Sequence, residues 1–106
     1  MVNVLSEATF DKEVLETSGG VVVDMYADWC GPCKMMAPVV EELSQSHPEI
    51  KFCKLNVDHA PGIAARYRVM SIPTFLIFRD GDLAGTIVGG MDADDLEDAI
   101  AGALSK

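Results

Sequence analysis

Cys30 and Cys33 stand three positions apart, with Gly31 and Pro32 between them. Two thiols at that spacing, at the junction of a buried strand and a helix, can close a small disulfide ring and open it again. The thiolate is the nucleophile, and the N-terminal end of a helix favours negative charge on it. The strand ends near Ala27 and the helical pattern begins around Cys33, so Cys30 is expected at the helix mouth, exposed and activated. Cys33 is expected a turn deeper, better placed to resolve a mixed disulfide than to attack. Two other uses of the pair exist. A Cys-x-x-Cys can be half of a zinc site, but zinc takes about four ligands, and Cys53, His47 and His59 offer no second ligand pair. Two buried structural cysteines are the other, although Trp29 and Gly31-Pro32 read as an exposed turn.

The elements that position this pair follow from the apolar pattern. Val2 to Leu5 reads as a short strand, and a helix is predicted from about Phe10, capped by Thr9, with Asp11 and Glu13 in its first turn and Ser18-Gly19-Gly20 as its stop. Val21 to Ala27 is almost continuously apolar, the pattern of a central strand covered on both faces. Beyond the cysteines, Met36, Val39, Val40 and Leu43 recur at helical spacing as far as about Ser46, with Pro38 expected to kink the helix. Ile50 to Val57 reads as a strand and Ala60 to Tyr67 as a short helix. Thr74 to Phe78 and Leu83 to Val88 are strands joined by the tight turn Arg79-Asp80-Gly81-Asp82, an antiparallel hairpin. Asp92 caps a last helix with Leu96, Ile100 and Leu104 on one face. The order is β-α-β-α-β-α-β-β-α, so the fold class is α/β: a mixed five-stranded sheet flanked by four helices.

Composition narrows the function. The chain has 106 residues, 49% of them apolar, enough for a single domain over residues 1–106 with one core but not for a large enclosed cavity. Seventeen acidic residues against eight basic ones give a formal charge of −9, which disfavours nucleic acid and anionic membrane surfaces as partners. The acidic run Asp92–Asp98 is the solvated start of a helix. No signal peptide pattern opens the sequence, and no apolar stretch reaches the roughly 18 residues of a membrane span. Three cysteines do not make a stapled secreted scaffold, which points to a soluble reducing compartment: the cytoplasm, or an organelle if a targeting segment has been removed. Without a Gly-x-Gly-x-x-Gly motif, no nicotinamide or flavin cofactor is expected.

Other residues gain meaning beside the pair. Asp24 interrupts an apolar strand. It either reaches solvent through a local irregularity or is buried, in which case desolvation raises its pKa toward the neutral range useful for proton exchange. Lys54 reads as an ordinary strand lysine and Trp29 as a rim or core aromatic. The Ile72–Pro73 bond is trans by default. Cys53, in an apolar strand, reads as an inert buried thiol.

Trp29-Cys30-Gly31-Pro32-Cys33-Lys34 resembles the active site of the thioredoxin family at every position. Asp24, Pro38, Lys54, Ile72-Pro73-Thr74, Asp80-Gly81 and Val88-Gly89 match further landmarks, so the resemblance runs from about Val2 to Leu104. It implies the thioredoxin fold and protein-disulfide reductase activity through a mixed-disulfide intermediate. Cys30 is implied as nucleophile and Cys33 as resolving thiol, with Asp24 as the latter's proton partner and Lys54 modulating Asp24. It implies a cis Pro73 facing the dithiol, and a substrate patch of Trp29, Gly31, Pro32, Ile72 and Gly89. The implied partners are a thioredoxin reductase, NADPH- or ferredoxin-linked, and disulfide-bearing proteins such as reductases and peroxidases, met by a monomer. Gly31-Pro32 resembles the reducing branch rather than the oxidases and isomerases. Met25-Tyr26 and Met35-Met36 depart from the family's commonest residues, and Trp29 is the only tryptophan.

Overall fold

The computed structural model describes residues 1–106. Five strands form one sheet: β1 (Val2–Val4), β2 (Gly20–Tyr26), β3 (Lys51–Asn56), β4 (Thr74–Arg79) and β5 (Asp82–Val88), in the spatial order β1-β3-β2-β4-β5. β3 runs parallel to β1 and β2, whereas β4 is antiparallel to β2 and β5, so the sheet is mixed. The α-helices are α1 (Gly31–Ser46), α2 (Pro61–Arg66) and α3 (Ala93–Leu104).

Period-two alternation divides the core between the two faces of the sheet. Val22, Phe52, Phe75 and Ile77 point to the face covered by α1 and α3, where they meet Met36, Val40, Leu43, Leu96 and Ile100. Val21, Val23, Met25, Cys53, Leu55, Leu76 and Phe78 point to the other face, against Phe10, Val14 and Ile63. β2 lies in the middle with Val21 to Met25 all buried, which is why its sequence lacks polar alternation. By the same alternation Asp24 and Lys54 share the face of Val22 and Phe52, the one under α1.

The first helix differs from expectation. It is a five-residue π-helical segment, Asp11–Leu15, and Thr9 does not cap it. The Thr9 hydroxyl instead accepts the Ser6 amide at 2.9 Å, and the Ser6 hydroxyl accepts the Thr9 amide at 3.2 Å. These two residues satisfy each other in a tight turn, leaving no cap for a longer helix. α1 continues through Pro38 to Ser46 and begins at Gly31, two residues earlier than the sequence suggested. At the last helix, the Asp92 carboxylate accepts the Asp95 amide at 2.8 Å.

The β4–β5 hairpin turns on Asp80 and Gly81, both with positive φ (52° and 85°), as a two-residue hairpin loop of the I′ kind demands. Gly81 also has no space for a side chain: a Cβ there would strike the carbonyl oxygen of Leu15. Gly81→Ala should therefore cost about 2–3 kcal/mol, combining the left-handed backbone penalty with a backbone clash. Urea denaturation at fixed pH measures this, and a loss below about 0.5 kcal/mol would show that the turn relaxes freely.

Candidate active site

β2 delivers the chain to the site, and the short segment Ala27–Trp29 turns it into α1. Cys30 is the N-cap of α1, with extended backbone (φ −90°, ψ 109°). Its Sγ accepts the Cys33 amide N–H at 3.2 Å, the place usually taken by a capping oxygen. Gly31 and Pro32 occupy the first two helical positions, where proline lacks only an N–H that no helical bond would use. Cys30 and Cys33 are joined in a disulfide across this first turn, their Cα atoms 5.2 Å apart.

One expectation needs correction. Cys30 is not openly exposed: it retains 5% of its accessible surface and Cys33 4%. Ala27 forms a small apolar cluster with both cysteines, and Tyr26, Val57 and Ile72 pack against it. The Ile72 carbonyl oxygen lies 3.9 Å from Cys30 Sγ. What separates the two thiols is therefore the helix terminus. Cys30 sits outside the first turn with an amide aimed at its sulfur, and Cys33 lies within that turn.

The loop opposite is built from Ile72, Pro73 and Gly89. The Ile72–Pro73 bond is cis and Pro73 is buried. The Pro73 carbonyl accepts the Gly89 amide at 2.8 Å, and Gly89 has φ +100°. Gly31 and Pro32 are exposed, and Ile72 and Gly89 are half-buried. Trp29 is 70% exposed and belongs to no core. Its indole Nε1 donates to Asp58 Oδ2 at 2.9 Å, which holds the ring on the rim. Beside it runs a groove of about 500 Å³ lined by Trp29, Val57, Ala64, Val69, Met70 and Ile72.

A second cavity, about 310 Å³, lies behind the dithiol and is lined by Asp24, Tyr26, Asp28, Cys33, Lys34 and Lys54, among others. Asp24 is 5% exposed, and its Oδ1 has no hydrogen-bond partner. Burial raises its pKa from 3.8 to about 7, against the opposing pull of Lys54. Asp24 and Lys54 are register partners on β2 and β3. They form no ion pair, and Lys54 Nζ stands 5.8 Å from the centre of the Tyr26 ring. Asp24 and Cys33 both line this cavity, together with the charged side chains of Asp28, Lys34 and Lys54, and it is roomy enough for water. Cys53 faces the opposite side of the sheet, fully buried, with burial pushing its thiol up to about 11.

A family model described as Thioredoxin matches residues 1–102. The chain belongs to the thioredoxin family. It is 48% identical over 88 residues to Thioredoxin 1 of Synechococcus elongatus, covering 82% of each chain. With the Thioredoxin of Pseudomonas aeruginosa it shares 42% identity over 97 residues, covering 91% of this chain and 89% of the other. With the chloroplastic Thioredoxin M2 of Arabidopsis thaliana it shares 46% over 91 residues, covering 85% of this chain and 49% of that longer one. As a thioredoxin-family protein with its redox pair in place, it is a dithiol–disulfide oxidoreductase that reduces protein disulfides and is recycled by a reductase. The family works with thioredoxin reductase and disulfide-bearing proteins. No helix is long and apolar enough to cross a membrane.

Three groups at this thioredoxin site escaped the sequence. Asp58 holds Trp29 from 29 positions away. Met70 lines the groove. The Met36 thioether accepts the Met91 amide at 3.4 Å, which ties α1 to the loop carrying Gly89. Met36 reads in the sequence only as a core residue of its helix, and the contacts of Asp58 and Met36 are made with distant elements, which no local pattern marks.

Proposed function

We propose that Cys30 is the attacking thiol and Cys33 the resolving one, with Asp24 taking the resolving proton. The Cys30 thiolate attacks one sulfur of a client disulfide. A Cys30–client bond forms, and the client's other sulfur leaves as a thiolate. Cys33 then gives its proton to Asp24 and attacks Cys30 Sγ. The client's second sulfur leaves as a thiolate and the Cys30–Cys33 disulfide closes. Two electrons have passed to the client, and thioredoxin reductase returns them. The observation that carries this reading is the position of Cys30 as N-cap, with the Cys33 amide on its sulfur.

Lys54 tunes Asp24 by its charge. Pro73 forms the wall facing the dithiol, and Trp29, Gly31, Pro32, Ile72 and Gly89 make the docking patch for an extended client segment. A shallow patch of this kind suits many protein clients, reductases and peroxidases among them, rather than one small molecule. The 106 residues act as one domain and as a monomer, in the cytoplasm or a comparable reducing compartment of an organelle. Turnover tests the reading. With dithiothreitol as donor, the wild type should catalyse reduction of a disulfide-bearing protein, and Cys30→Ser should lose the activity by a hundredfold or so, since a neutral hydroxyl is a poor nucleophile. Activity that survives in Cys30→Ser would reject it.

A further inference from the structure

Lys54 and Asp24 sit side by side on parallel strands, on the same face of the sheet, in paired register. A flexible lysine stem beside a buried carboxylate would ordinarily close an ion pair, yet none is formed, and Asp24 Oδ1 is left without a partner. The ammonium instead lies over the face of Tyr26, 5.8 Å from the ring centre, within the range of a cation–π contact. We propose that Tyr26 is a positioning residue: its ring holds the Lys54 ammonium off Asp24, and so sets the pH at which the buried acid gives up its proton. The proposal rests on the reading of Asp24 as the proton partner of Cys33, and it adds the residue that tunes that partner.

The surroundings leave few competitors for this role. From β2 and the segment after it, Tyr26 and Asp28 line the cavity that Asp24 faces. α1 contributes Cys33 and Lys34, and β3 contributes Lys54. On the β4 side the register partner is Phe75, which carries no charge. Lys54 is thus the cation whose pull on Asp24 opposes the effect of burial. A ring that fixes its ammonium at a distance weakens that pull without removing it.

The experiment is NMR titration of the Asp24 side-chain carboxyl in full-length protein, in the oxidised form so that Cys30 and Cys33 do not titrate. Tyr26→Leu removes the ring face, and the Asp24 midpoint should fall by about one pH unit, a tenfold change in its ionisation ratio, as Lys54 swings onto it. Tyr26→Phe keeps the face and should titrate close to the wild type. In a Lys54→Met background, Tyr26→Leu should leave the midpoint in place, because the ring then has no ammonium to hold. Three results would overturn the proposal: no shift in Tyr26→Leu, an equal shift in Tyr26→Phe, or a shift that persists without Lys54. The last would mean that the ring acts by excluding water. Whether Asp24 serves Cys33 at all is read separately, from the rate of client release, so the two readings can fail independently.

Discussion

Cys33→Ser should accumulate covalent adducts with client proteins, and Cys30→Ser should not. Both thiols are almost equally buried, so exposure does not assign their roles. The proposed assignment rests on the helix terminus. Cys30 Sγ occupies the capping position of α1, where the partial positive charge of the terminus and the Cys33 amide both favour a thiolate. Attack from Cys30 in the Cys33→Ser protein stops at the mixed disulfide, because a serine hydroxyl cannot displace the client. Thiol-reactive gel shifts, or capture of adducts followed by release with dithiothreitol, would measure this. The expected contrast is on the order of tenfold or more, since exchange rate follows thiolate population and access. Equal trapping by both variants would overturn the assignment of roles.

The same site shows what sequence can carry and what it cannot. β2 was legible because five consecutive buried positions need five apolar residues or a costly exception, and the exception, Asp24, marked itself. The hairpin was legible because Asp80-Gly81 can adopt positive φ cheaply. Helix starts were less so. A cysteine sulfur is an unusual cap, which put the start of α1 two residues late. Thr9 looks like a cap but is spent on Ser6. The resemblance put Ile72 in the patch around the dithiol, but how closely its carbonyl shelters Cys30, across 42 positions, is set by tertiary packing alone. The partition of Lys54 between Asp24 and Tyr26 is equally hidden: strand parity places all three near one another, but only side-chain packing decides where a flexible ammonium comes to rest.

Asp24→Asn should stabilise the protein at pH 8 and destabilise it by about 1 kcal/mol at pH 4, where only the cost of the buried amide remains. In the unfolded chain this carboxyl titrates near its ordinary 3.8, and in the folded protein burial holds it at about 7. The native state therefore binds a proton that the unfolded state has released throughout the interval between those values. Folding with Asp24 becomes steadily less favourable as pH rises from about 4 to about 7, and the penalty is constant above that. A difference of roughly three pH units corresponds to about 4 kcal/mol at its full extent. Asparagine avoids the charge but buries an amide that must find partners, so a net gain of about 2–3 kcal/mol at pH 8 is expected. Denaturant curves at pH 4 and pH 8 would decide it, and a gain of equal size at both would show that packing rather than ionisation is responsible. The activity should move the other way. Asparagine cannot accept the Cys33 proton, so client release from the mixed disulfide should slow on the order of a hundredfold near pH 7.5, where a positioned base contributes most. The wild-type rate should rise through pH 7 as Asp24 ionises, and that rise should be missing from the variant. Equal release rates in the two proteins across this range would remove Asp24 from the resolving step, while leaving its cost to stability intact.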